Sequence, residues 1–175
     1  TYEPLAEKIA DGLGVSLGDP NLAEFANGEV HCRFSESIRG CDAFIVQTHS
    51  GSDNASINDS LMEQLIMVDA ARRASAKRIT VVCPSFGYGR QDRKASGREP
   101  ITAKLIANLF KEAGASRLVS VDLHSGQTQG FFEGPVDHLT AMPVLVEKLA
   151  SLKGELTIVS PDAGRVKVAE RYAMI

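Results

Sequence analysis

Arg78-Ile79-Thr80-Val81-Val82-Cys83 runs directly into Pro84-Ser85-Phe86-Gly87-Tyr88-Gly89-Arg90-Gln91-Asp92-Arg93-Lys94. The first run is nearly continuous in apolar, mostly β-branched residues, as a strand covered on both faces requires. The second changes at once to glycines and cations. Three more runs share the character of the first: Ala43 to Gln47, Arg117 to Asp122 and Leu156 to Ser160. The segments between them repeat apolar residues at helical spacing, with Leu61, Leu65, Val68 and Ala71 on one and Leu105, Leu109 and Ala113 on the next. Pro143 is placed to open a third helix through Val144, Leu145 and Leu149, with Gly154 to end it. Strands alternating with helices predict an α/β fold, a mainly parallel sheet with helices on both faces. Upstream, Leu5, Ile9 and Leu13 mark one helix. Two short strand-like runs flank Asn27-Gly28, which predicts a two-residue antiparallel hairpin attached to the sheet.

The chain has 175 residues and weighs 18.8 kDa, enough for one domain with its own core. Apolar residues make up 43% and charged residues 23%, which excludes disorder, collagen-like repeat and coiled coil as the main description. A net charge of −3 argues against a general nucleic-acid binder. No run approaches a membrane span, and no basic-then-apolar leader opens the chain, so neither membrane nor export is expected. Cys32, Cys41 and Cys83 stand at unrelated spacings and suggest neither a zinc site nor a disulfide framework. A cytoplasmic location is the default.

In parallel sheets ligands bind beyond the carboxyl ends of the strands. Four segments fall there: Thr48 to Asn54, Pro84 to Lys94, Leu123 to Phe132 and Pro161 to Arg165. Arg90, Arg93, Lys94 and Arg98 lie within nine residues of an acidic chain. They read as a polyphosphate clamp, or on residue types alone as a solvated loop or subunit contact. Asp122 and His124 are two apart at a strand end and face one side. They are too few for zinc, but they suit magnesium, which keeps waters and takes its other ligands from phosphates. Asp162 reads as a helix N-cap, or as a second magnesium contact. Phe25, Asn27 and Glu29 are first of all a turn, and only secondarily a surface for a purine. His31 and His138 look incidental, and His49 has no evident partner. Walker, GxGxxG and GxSxG motifs are all missing, which argues against P-loop, dinucleotide and serine-hydrolase chemistry.

The longer stretches carry a resemblance. They are FANGE at 25–29, ESIRG at 36–40, INDSLMEQLIMVDAARRASA at 57–76, GYGRQDRK at 87–94, REPITAKLIANL at 98–109, DLHSGQTQGFFEGPVDHL at 122–139 and VSPDAG at 159–164. With these the chain resembles the ribose-phosphate diphosphokinases, or PRPP synthetases, over nearly its whole length. The family transfers the β,γ-diphosphoryl group of Mg-ATP to the 1-hydroxyl of ribose 5-phosphate, giving PRPP and AMP. The resemblance implies a phosphoribosyltransferase-like fold and a homo-oligomer, commonly a hexamer. It places residues 1–154 in an N-terminal ATP-binding domain and 155–175 at the start of a second. It implies that Phe25, Asn27 and Glu29 hold adenine at a neighbouring subunit's site. Arg90 and Gln91 contact ATP, with Arg90 and His124 the catalytic pair. His124, Asp162 and Asp122 attend Mg²⁺. Ser37, Arg39, Arg98 and Gln129 match a regulatory site between subunits. Thr128 and Gly134 depart from the usual pattern. The family's catalytic flexible loop and ribose 5-phosphate loop have no counterpart in the sequence, so it is expected to be cut short at both ends and inactive alone. The alternative is a non-catalytic regulatory subunit.

Overall fold

The computed structural model describes residues 3–51 and 55–174. The chain divides into two compact units, Thr1–Leu139 and Thr140–Ile175.

The first unit opens with α1 (Glu3–Leu13), which stops at Gly14 in the left-handed region (φ 66°). A short antiparallel hairpin follows, β1 (Leu22–Glu24) paired with β2 (Val30–Cys32). Its turn differs from the expected two-residue loop. The Gly28 amide donates to Phe25 O (2.8 Å), and the Phe25 amide donates to Glu29 O (2.8 Å). Three residues thus make the loop, and only Gly28 takes positive φ (87°). Asn27 keeps an ordinary backbone and accepts the Glu29 amide on its side chain (3.2 Å), so the pair builds a turn closed by a glycine bulge.

The main sheet is parallel, in the order β3 (Asp42–Val46), β4 (Arg78–Cys83), β5 (Arg117–Val121), β6 (Val136–Leu139). Three of these strands are those expected. The fourth is not the 156–160 run, which forms no strand and leaves Val159 79% exposed. A strand needs a neighbour for its backbone groups, and no described residue supplies one there. The edge is taken instead by Val136–Leu139, a four-residue strand with Asp137 and His138 at its centre, too short and too polar for a hydrophobicity reading to find.

Between β3 and β4 runs α2 (Ile57–Arg73), started by a capping box in which Ser56 and Asp59 satisfy each other's backbone amides. Between β4 and β5 runs α3 (Thr102–Ala113), ended by Gly114 at φ 126°. These helices cover one sheet face. Val68, Ala71, Val81, Phe110 and Leu118 are all 1% exposed or less and form the centre of the core. The α/β architecture expected from the sequence is present, but coverage of the two faces is unequal. Phe44, which points the other way from buried Ile45, is 65% exposed.

The second unit contains α4 (Met142–Ala150), with Pro143 in its first turn as expected, a 3₁₀ turn at Ala163–Arg165, and α5 (Val166–Ala173).

Candidate active site

In a parallel sheet every loop that follows a strand leaves by the same edge, so segments 84–101 and 122–135 emerge side by side. The loop after β4 is held at several points. The His49 amide donates to Ser85 O (3.0 Å), and the Gly87 amide donates to His49 Nδ1 (3.0 Å). Tyr88 sits in the left-handed region (φ 59°), with its hydroxyl on Asn58 Oδ1 (2.5 Å). The Gln91 carbonyl accepts the Ala103 amide (3.1 Å), satisfying an otherwise orphaned donor in the first turn of α3. Thr102 Oγ1 donates to Gln91 Oε1 (2.5 Å), so the oxygen of this exposed side chain is engaged and its amide nitrogen remains a donor. Arg90 is exposed, and among the described residues nothing pairs with it.

The loop after β5 is anchored by β6. The Asp122 amide donates to Leu139 O (2.9 Å) and the Leu123 amide to His138 Nε2 (3.0 Å). His138, which looked incidental in the sequence, therefore sets the backbone on which Asp122 and His124 stand. Asp122 is left-handed (φ 46°), and both it and His124 are exposed at the strand end.

Asp92, in the loop after β4, is buried. Hydrogen bonding from the Ser125 side chain, helped by the nearby His124 and Arg93, outweighs desolvation and holds the Asp92 carboxyl below the usual carboxylate range. Ser125 continues to Thr128 (3.1 Å), which is itself buried. A Cβ on Gly89 would lie 3.7 Å from the Cβ of His124 and 3.2 Å from Phe86 O. The glycine thus lets the arginine loop approach the histidine loop. Arg90, Gln91, Asp122 and His124 accordingly share one end of the sheet.

The other predicted residues are distributed differently. Phe25 is 55% exposed at the hairpin tip, with only the His31 ring tilted against it (5.9 Å). Asn27 and Glu29 are exposed beside it. Ser37 and Arg39 line a groove of about 490 Å³ between β2 and the end of α2, together with Arg33 and Arg73. Arg98 (φ 70°) and Gln129 do not line that groove. Gln129 donates to Gly126 O (3.0 Å) within a 3₁₀ turn. The four expected regulatory residues are thus not gathered by this chain alone. Asp162 precedes the 3₁₀ turn of the second unit, makes no side-chain cap there, and is exposed. Ser52, Asp53 and Asn54, expected at the ligand edge, lie outside the described residues.

His49, expected to be without a partner, is 2% exposed and fully engaged. Its Nε2 donates to Gln64 Oε1 (2.8 Å), and the Gln64 amide nitrogen donates to Ile45 O (2.8 Å). The ring stacks on Phe110 (5.9 Å, 11°). Burial outweighs the Gln64 bond and pushes its pKa down to about 4, so the imidazole is neutral. No local signal in the sequence points to these partners, which come from α2, α3 and the neighbouring loop.

No helix of the described residues is long and apolar enough to cross a membrane, and no group of three or more metal-ligating side chains lies among them.

The sequence model of the N-terminal domain of ribose phosphate pyrophosphokinase matches residues 1–114. The ribose-phosphate pyrophosphokinase of Streptomyces avermitilis is 54% identical over 173 residues, covering 98% of this chain and 52% of that protein. That of Bifidobacterium longum is 53% identical over 176 residues, covering 98% and 51%. The crystal structure of phosphoribosylpyrophosphate synthetase from Mycobacterium smegmatis matches with a TM-score of 0.91 at 50% identity, over 99% of this chain and 57% of that one. The chain spans about half the length of the curated relatives it matches. With its parallel sheet, its appended hairpin and its two adjacent loops at the sheet edge, the chain belongs to the ribose-phosphate pyrophosphokinase family.

Proposed function

We propose that this chain supplies the ATP-binding part of a ribose-phosphate diphosphokinase, which moves the β,γ-diphosphoryl group of Mg-ATP to the 1-hydroxyl of ribose 5-phosphate and yields PRPP and AMP. The observation that carries the reading is the close approach of the two loops at Gly89 and His124, with an unpaired arginine and an exposed histidine at the ligand edge of one sheet. Diphosphoryl transfer needs alignment and charge neutralisation rather than a covalent nucleophile. Arg90 offers its fork to phosphate oxygens. The amide nitrogen of Gln91, freed by the Thr102 contact, donates to the same chain of phosphates. Phe25 provides a face for adenine. Asn27, whose oxygen is occupied by the Glu29 amide, keeps its NH₂ for the purine edge, with the Glu29 carboxylate beside it.

The donor set fits magnesium as it travels with a nucleotide. Asp122 and His124 offer one oxygen and one nitrogen at the sheet edge, and the described residues form no larger cage that would hold a resident ion. Asp162, in the second unit, is the third residue that the resemblance gives to magnesium. Bound magnesium neutralises phosphate charge. Ser37, Arg39, Arg98 and Gln129 belong to a regulatory anion site completed between copies, in a homo-oligomer of hexameric type working in the cytoplasm.

Calorimetric titration of the chain with Mg-ATP, alongside an assay for PRPP, tests the reading. Binding of Mg-ATP that is lost in Arg90→Ala, with no PRPP made by this chain alone, is expected. No binding by the unaltered chain sinks the ATP role and favours a non-catalytic regulatory subunit. Robust PRPP synthesis by these 175 residues sinks the claim that it is inactive alone.

A further inference from the structure

Arg90 stands on a backbone that is not at rest. Two residues before it, Tyr88 is left-handed at φ 59°, a region a side chain with a Cβ occupies only when its surroundings hold it there. Tyr88 itself bonds Asn58 Oδ1 through its hydroxyl (2.5 Å) and accepts the Gln91 amide (2.9 Å), and the residues that lead into it are held by His49. The His49 amide donates to Ser85 O (3.0 Å) at the start of the loop, and its ring Nδ1 accepts the Gly87 amide (3.0 Å) just before the strained residue. The ring cannot yield. Its other nitrogen donates to Gln64 Oε1 (2.8 Å), and Gln64 is fully buried and tied to Ile45 O (2.8 Å) and Val82 O (3.3 Å). Phe110 stacks on one side at 5.9 Å, and Phe86 meets the ring edge-on at 6.3 Å. The fit is close on the loop side as well. A Cβ on Gly87 would fall 3.0 Å from the Cβ of His49 and 3.2 Å from Cγ2 of Ile57, so the amide reaches the ring only because residue 87 has no side chain.

We propose that His49 is a positioning residue for Arg90: its Nδ1 grips the Gly87 amide and fixes the left-handed turn at Tyr88 that presents the guanidinium to phosphate. The inference rests on the reading of Arg90 as a phosphate ligand. His49 touches no substrate and acts only through the loop.

Asparagine and glutamine separate the two ring nitrogens. Asn places its oxygen near Nδ1, whereas Gln places its polar end near Nε2. His49→Asn therefore keeps the acceptor for Gly87, and His49→Gln loses it while still reaching Gln64. Hydrogen exchange at the Gly87 amide is expected to stay slow in His49→Asn and to quicken by about tenfold or more in His49→Gln. Affinity for Mg-ATP should fall about tenfold in His49→Gln and change by less than about threefold in His49→Asn. The His49→Gln loss should vanish in an Arg90→Ala background, because the guanidinium that the grip presents is then gone. Should His49→Gln fail to fold, His49→Phe, which keeps the stack on Phe110 and lacks the acceptor, takes its place. Unchanged Gly87 exchange in the acceptor-less variant, equal affinity loss in Asn and Gln variants, or a loss additive with Arg90→Ala overturns the proposal. If Arg90→Ala itself leaves affinity unchanged, the phosphate role of Arg90 falls, a result distinct from unchanged Gly87 exchange, which removes the positioning alone.

Discussion

The two ends of the main sheet use the same residue types in opposite ways. At the end where the strands begin, Arg78 forks onto Asp42 across β3 and β4, and Arg117 forks onto Asp137 across β5 and β6. Ser116 closes the same edge by donating to Ile79 O (3.0 Å) and accepting its amide (3.3 Å). Where the strands finish, Arg90, Lys94 and Arg98 find no partner among the described residues, and the loops are long. Of the five non-glycine residues with positive φ among the described residues, Tyr88, Arg98 and Asp122 lie in these loops. One end spends its charges on itself and has, of those five, only Ser75 just before β4. The other keeps its charges available and tolerates strain, as a site waiting for a polyanion does.

The largest effect that would separate the two ends is acid lability. His49 has a folded pKa of about 4 against an ordinary value of 6.5. Between those values the unfolded chain binds the proton more readily, so stability is complete above pH 6.5 and falls as pH drops toward 4. The loss amounts to about 3 kcal/mol. At the opposite end the arginines hold Asp42 and Asp137 below 3.8, so their contribution survives until pH falls below that value. Urea titrations at a series of pH values should show the first window vanish in His49→Asn and the second remain. An unchanged slope between pH 6.5 and 4 in that variant would place the lability elsewhere.

Arg90→Ala comes next. Removing a guanidinium that is free in the unliganded chain should leave the melting temperature unaltered and weaken Mg-ATP binding by about 10- to 100-fold. A melting shift without an affinity change would reverse its assignment from ligand to structure. Asp92→Asn should act between the extremes, removing a buried charge near His124 and Arg93 and lowering Mg-ATP affinity by roughly tenfold, read by the same titration. The smallest effect belongs to the paired end. Arg78→Ala should lower the melting temperature by less than about 4 °C, less still in high salt, and leave Mg-ATP affinity intact, since exposed ion pairs contribute little. A loss of nucleotide affinity in Arg78→Ala would show that the two ends are not separable.

Much of the fold was legible because a buried parallel strand leaves a signal within itself. Ala43–Gln47, Arg78–Cys83 and the Arg117 run are dense in β-branched residues, and the helices between them keep their apolar period. Elements whose existence depends on a neighbour were not legible. The 156–160 run has the composition of a strand and no ladder, whereas Val136–Leu139 has a ladder and little of the composition. The hairpin shows the same limit on a smaller scale: Asn27-Gly28 marks a turn, but the loop length follows from which backbone groups Phe25 and Glu29 exchange. At the site, Arg90, Asp122 and His124 could be named because strand-end loops rich in glycine and charge are where parallel sheets hold ligands, whereas Gln91 came only with the family resemblance. His49, Asp92, Ser125 and His138 could not, since each acts through a bond to a residue distant in the chain or on another loop.

The sequence by itself determined the α/β class, the edge where a ligand would sit and the cationic loop that faces it, since these follow from composition and period along a contiguous segment. Tertiary structure alone decided which charges remain free. Arg78 and Arg90 are the same side chain, twelve residues apart. Arg78 has a carboxylate across the strand and Arg90 has none, because burial of the core fixes which loops meet and only then which partners lie within reach.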